Sequence, residues 1–193
     1  SRCFSLKEIS VQALMQVLNC DDCYRLEELF THPQLRVLDC SNCSALVKIA
    51  TQPLMQTLNA SNNPFLKEIQ VQPEMLLLRC NGSSSLEEIP VQARMQKLDI
   101  FHCSSLKKLF VQPEMRELDC SGCSVLRNIP VQPRLQKLCC ENCRSLQEIP
   151  IQDELLELNC IDCTSLKEIP TQALMEKLDC NNCTSLEKIP VQP

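Results

Sequence analysis

The residues of this 193-residue chain whose types could do chemistry are sixteen cysteines and two histidines. Six C-x-x-C pairs stand out: Cys20/Cys23, Cys40/Cys43, Cys120/Cys123, Cys140/Cys143, Cys160/Cys163 and Cys180/Cys183. Two such pairs at a suitable separation can make a zinc site, because four thiolates satisfy a tetrahedral ion. The replacements argue otherwise. Ala60 and Ile100, which cannot ligate, take the first position in two copies, whereas Asn63 and Ser83, which can hydrogen-bond backbone, take the second. The first column is therefore read as filler and the second as service to backbone groups where the chain turns. Alternation along a strand would also point the two members of a pair apart. Neither a metal nor a cofactor is expected. Disulfides are disfavoured, because stacked copies bring together many equivalent thiols with no unique partner, and so many cysteines fit a cytoplasmic or otherwise reducing compartment. His32 and His102 lie far apart in the chain with no repeated serine or carboxylate around them. Cys139 has only Lys137 and Arg134 nearby to lower its pKa. No catalytic constellation emerges, and no enzyme activity is expected.

The elements that position these residues repeat without insertion or deletion. LNCDDCYRLEELF begins at Leu18, LDCSNCSALVKIA at Leu38, LCCENCRSLQEIP at Leu138 and LDCNNCTSLEKIP at Leu178, always at multiples of twenty residues. A copy this short cannot bury its own apolar face, so copies must stack into a solenoid. Alternation around Leu18 and Cys20 predicts one short strand per copy. Stacked in parallel, these strands form a single sheet of about nine strands, roughly 40 Å long. Four inward columns are expected: Leu18 to Leu178, Leu6 to Leu186, Ile9 to Ile189, and a β-branched column from Val11 to Val191, with Met15 and its equivalents filling a further slot. Prolines such as Pro130 and Pro133 exclude long helices on the return side, which should be extended or polyproline-like with at most one turn near residues 13 to 15. The glutamine column, Gln12 to Gln192 with His32 as its exception, is expected to form an amide ladder that satisfies return-side backbone. With only two glycines, tight turns fall to pairs such as Asp21-Asp22, Ser41-Asn42, Glu141-Asn142 and Asn181-Asn182.

Met15, Leu18, Cys20, Cys23, Leu26 and Leu29 carry the leucine-rich repeat signature with one extra residue. Across essentially its whole length the chain resembles leucine-rich repeat proteins. The short period and Ile129-Pro130-Val131-Gln132-Pro133 look like the LPX subclass of bacterial type III secreted effectors, although glutamine replaces that pattern's second leucine. Runs such as Asn182-Cys183-Thr184-Ser185-Leu186 are also similar to the longer repeats of plant intracellular immune receptors. The resemblance implies a non-enzymatic module that binds a protein partner on a concave strand face. It also leaves room for the recognition half of a larger ubiquitin-ligase effector.

Residues 1–193 read as one repeat array. A net charge of -5 with acids and bases interleaved lacks the basic stripe that phosphate contacts need, so nucleic acid is not expected as a partner. No apolar run reaches membrane-spanning length, so no membrane insertion is expected. The array begins and stops in mid-repeat without polar caps, which reads as a fragment of a longer protein or as ends covered by partners. End-to-end self-association is the structural alternative.

Outward strand positions supply the candidate binding residues. Asp39, Asp99 and Asp119 belong to a column of Asp and Asn. Mid-array copies break the pattern with Leu76, Leu77 and Arg79, followed by Lys97, Phe101 and His102. Arginine and aromatics are enriched at interface hot spots, and the chain has few aromatics to spend.

Overall fold

A computed structural model describes residues 3–192 of the chain; Ser1, Arg2 and Pro193 lie outside the described residues. Its strands are, in chain order, β1 (Val17–Asn19), β2 (Glu28–Leu29), β3 (Val37–Asp39), β4 (Lys48–Ile49), β5 (Thr57–Asn59), β6 (Glu68–Ile69), β7 (Leu77–Arg79), β8 (Lys97–Asp99), β9 (Glu117–Asp119), β10 (Lys137–Cys139), β11 (Glu157–Asn159) and β12 (Lys177–Asp179). Nine of them form one parallel sheet in the order β1-β3-β5-β7-β8-β9-β10-β11-β12. Its register is the repeat itself, with Leu18 opposite Leu38 and Leu138 opposite Leu158. No helix occurs among the described residues.

Each strand is short because the chain turns immediately after it. In every copy one turn residue adopts the left-handed conformation, at φ 56–59° for Asp22, Asn42, Asn62, His102, Asn142, Asp162 and Asn182. Asn and Asp tolerate this region better than other side chains, which bears out the reading of the turn pairs. Gly122 takes the same position for a second reason. A Cβ there would lie 2.3 Å from Nδ1 of His102, whose ring covers the site.

The core is a set of columns. Leu38, Leu58, Leu26, Leu46, Ile49 and Met55 are fully enclosed, together with their equivalents in the middle of the array; at the ends Leu18, Leu178 and Met15 are partly buried and Ile189 is exposed. The β-branched column is a correction: Val71, Val91, Val111, Val131 and Ile151 are exposed, at 44–54%. The chain is extended there and its side chains alternate. Gln72, Gln92 and their equivalents take the inward place, so the adjacent valine must point out.

The return side carries a second, shorter ladder, β2-β4-β6, in addition to the one sheet expected. Beyond it only single bridges persist, at Glu88–Lys108, Asn128–Glu148 and Glu168–Lys188. In the first copies the residue after the ladder strand is Phe30, Ala50 or Gln70, and the Gln70 amide donates to the Ile49 carbonyl at 3.2 Å. Pro90, Pro130, Pro150 and Pro170 stand there later and have no N–H to donate.

Glutamines add a set of bonds between copies along the whole return side, beside the strand ladder and beyond it. The backbone N–H groups of Gln52, Gln72, Gln92, Gln112 and Gln132 each donate to Oε1 of the glutamine one copy on, at 2.7 Å. Side-chain Nε2 groups then donate backwards, from Gln112 to the Pro90 carbonyl at 3.3 Å and from Gln152 to Pro130 at 3.2 Å. The ladder is thus side chain to backbone in both directions, as expected of its role. His32 keeps half of this: Nδ1 accepts from the Gln12 amide at 3.1 Å, but Nε2 is buried without a partner.

Candidate binding face

Both members of the C-x-x-C pairs are inside, with Cys20, Cys23, Cys40 and Cys43 all buried and only Cys180, in the last pair, partly exposed. This corrects the expectation that alternation would separate them. Alternation ends at the left-handed turn residue, which swings the second cysteine back towards the core. The two columns do have different work. Second-column groups donate to the first-position carbonyl of the preceding copy: Cys43 Sγ to Cys20 at 3.1 Å, Asn63 Nδ2 to Cys40 at 3.0 Å, Ser83 Oγ to Ala60 at 3.0 Å and Cys143 Sγ to Cys120 at 3.1 Å. Asn and Ser can stand in the second column because each supplies a donor at that point. First-column thiols are poor nucleophiles. Contact with the Cys103 thiol and full burial push Cys80 well up from its ordinary value, and burial with a neighbouring Cys43 thiol does the same to Cys40.

Cys139 is the one cysteine on the strand face, half-buried in β10. Burial and the Asp119 carboxylate raise its pKa, against the lowering effect of Lys137. Lys137 is itself engaged by Glu157 at 3.2 Å, which raises the lysine and leaves the thiol unactivated. Among the described residues no cluster of three or more His, Cys, Asp or Glu could hold a metal ion.

The strand face divides into two halves at β7. At the first strand position Val17, Val37, Thr57 and Leu77 succeed one another, and then Lys97, Glu117, Lys137, Glu157 and Lys177 follow. The second half neutralises itself rung by rung, through Lys97–Glu117 at 2.5 Å, Lys137–Glu157 at 3.2 Å and Lys177–Glu157 at 2.7 Å. Both lysines hold the Glu157 carboxyl below its usual range, Lys177 most strongly. The first half has no charge at this position and leaves Val17 and Val37 exposed.

The sequence-derived candidates fall on both sides of that boundary. Leu76 and Leu77 are half-buried at the end of the apolar strip, and Arg79 lies beside them, with Nε 3.9 Å from Asp99. Lys97 opens the charged half. Phe101 and His102 are exposed, but they stand on the turn beyond the strand, their rings tilted at 55° to each other with centroids 4.0 Å apart. The structure therefore brings Leu76, Leu77, Arg79, Lys97 and Asp99 together on the strand face and sets the aromatic pair at its margin. Asp39 and Asp119 are occupied locally. Asp39 accepts from the Ser41 amide at 3.0 Å and from Asn59 Nδ2 at 3.1 Å, while Asp119 accepts from the Ser121 amide at 3.0 Å. The alternating Lys/Glu partners, and the apolar strip of Val17, Val37 and Thr57, were not singled out from the sequence. Both were readable down the twenty-residue alignment.

The fold resembles that of a leucine-rich repeat protein from Bacteroides ovatus ATCC 8483, with a TM-score of 0.56 and 15% sequence identity. The match covers 96% of this chain and 66% of the other, so the chain spans about two thirds of that protein's length. No family model matches the sequence, and no curated protein matches it. The chain is a leucine-rich-repeat-like β-solenoid with twenty-residue turns.

Proposed function

We propose that the chain is a non-enzymatic recognition module that binds a protein on its strand face, across the boundary where the apolar strip meets the first charged rung. The observation that carries this is the change of the first strand position from Val17, Val37, Thr57 and Leu77 to self-paired Lys and Glu. The sheet satisfies its own backbone, so affinity must come from side chains. An uncharged strip ending at Leu77 and Arg79 offers a desolvatable centre, with polar residues around it, as interface cores require. The Ile-Pro-Val-Gln-Pro turns and the short period support an effector-like role among LPX-type proteins. The thirteen buried free thiols support a reducing compartment.

Affinity capture from the native host with the wild-type chain and with Leu77→Asp/Arg79→Glu tests this. The paired substitution lies on the surface and should reduce recovery of the specific partner by about 100-fold, the scale of losing a hot spot. Equal recovery by both proteins would remove the strand face as the binding site.

A further inference from the structure

The valine column that points outward on the return side is uncovered over five successive rungs, from Val71 to Ile151; beside the first four, Pro73, Ala93, Pro113 and Pro133 add no charge, and Asp153 bounds the surface at the fifth. An uncharged apolar surface of this extent is rare on a protein that remains alone. Its margins are charged. Along one, Glu74, Arg94, Glu114 and Arg134 alternate in sign and pair within the chain, Arg94 with Glu74 and Arg134 with Glu114 at 2.5 Å. Along the other lie Lys48, Glu88, Lys108 and Glu148 on successive or near-successive rungs.

We propose that this return face pairs with the return face of a second copy, as a closed antiparallel dimer whose two-fold axis lies across the stack midway between the Val91 and Val111 rungs. Charge complementarity selects this arrangement. Reversing the rung order about that point sets Glu74 opposite Arg134 and Arg94 opposite Glu114 of the second copy. The same operation sets Glu88 opposite Lys108, Lys48 opposite Glu148 and Glu68 opposite the neutral Asn128, so both margins are compatible over the six rungs from Thr51 to Ile151. A two-fold placed on the Val111 rung instead would put Arg94 against Arg134, a repulsive pairing. The apolar column tolerates the reversal, since Val71 meets Val131, Val91 meets Val111 and Thr51 meets Ile151. Both surfaces have the same rung spacing, so contacts stay in step along these rungs.

Area supports the same occupant. Six rungs, from Thr51 to Ile151, spaced about 4.8 Å apart and about 20 Å wide between the margins, give roughly 550 Å² per copy, at the low end of specific interfaces. The Thr31 and Thr171 rungs are left out because they set Glu28 against Glu168. The face lacks the Lys and Arg excess that a lipid surface would select. The strand face takes no part in the contact and stays open.

Sedimentation equilibrium of the purified chain over a range of concentrations tests the proposal. The wild-type mass should double and stop at two copies. Val91→Lys with Val111→Lys, both at exposed positions, should remain monomeric with an unchanged circular dichroism spectrum. Arg94→Glu should raise the dimer dissociation constant by about 100-fold by setting glutamates against each other twice, and adding Glu114→Arg should restore it to within about tenfold. Three results would overturn the proposal: a wild-type monomer at the highest soluble concentration, growth beyond two copies, or a dimer indifferent to the lysine substitutions. The first would leave the valine column to a different protein, and the second would indicate joining through the ends.

Discussion

The two sides of the solenoid reach the same twenty-residue spacing by different chemistry. On the strand side nine strands exchange backbone hydrogen bonds from β1 to β12 without a gap, and side chains are free to face a partner. On the return side the strand ladder holds only from β2 to β6, single backbone bonds persist beyond it, and buried glutamines join the copies beside the ladder and after it. Proline can recur on the return side, because the glutamine bonds between copies use its carbonyl and do not need an N–H from it. The cost is concentrated. A glutamine such as Gln112 serves both an amide and a carbonyl of the preceding copy, so a single replacement should loosen the joint between two copies.

The strongest way to break this comparison is Gln112→Leu. The Gln92 N–H and the Pro90 carbonyl would both lose their partners inside the protein, and each unsatisfied buried group costs about 1–3 kcal/mol, so a loss of about 3 kcal/mol is expected from urea unfolding. A substitution at Glu117 on the strand side, where the lost group is an exposed ion-pair partner, should cost less than about 1 kcal/mol. Equal losses would mean that the glutamines do not carry the return side.

The cysteine columns sharpen the same contrast with a smaller effect. Cys143→Ser should be nearly neutral, because Ser83 already performs that role with a hydroxyl 3.0 Å from the Ala60 carbonyl. Cys143→Ala removes the donor to Cys120 and should cost about 1–2 kcal/mol in the same assay. If serine and alanine proved equivalent at this position, the second column would be filler after all.

The smallest expected effect lies at His32, where imidazole stands in the glutamine ladder. Only neutral imidazole can accept from the Gln12 amide, and burial lowers the pKa of the ring from its ordinary 6.5. A histidine with a lowered folded pKa contributes stability that is complete above the unfolded value and is lost as pH falls through the folded value. Hydrogen exchange at the Gln12 amide should therefore accelerate as pH drops below about 6.5, beyond the intrinsic chemical trend. His32→Gln should abolish that dependence and add about 1 kcal/mol, since a glutamine supplies Nε2 as a donor to the return-side carbonyl behind it. An unchanged pH profile in that variant would place the dependence elsewhere.

Much of this was legible before any coordinates, because a strict period converts sequence columns into spatial columns. The leucine, isoleucine and methionine columns, the turn residues of the Asp21-Asp22 type, the glutamine ladder and the separate duties of Cys40 and Asn63 could all be read from which residues replace one another. The valine column was misplaced for a definite reason. β-branched residues suit an extended chain whichever way they point, and the inward place beside them was held by a polar residue that hydropathy alone would send outside. Of the candidate binding residues, Leu77, Arg79, Lys97 and Asp99 proved to be neighbours because they occupy paired strands, whereas Phe101 and His102 were displaced by a left-handed turn.

The sequence by itself determined the rung: its length, its parallel stacking, its buried leucines and its sites of turning, since these follow from local chemistry repeated at one interval. Tertiary structure alone decided which outward columns share a face and which lie at its margin. Lys97 finds Glu117 twenty residues away, and Val91 lies exposed beside a buried Gln92, because the closed path of each coil sets where every side chain emerges. That path depends on the turn geometry and on the direction of the glutamine bonds, both of which are fixed only when neighbouring coils are in contact.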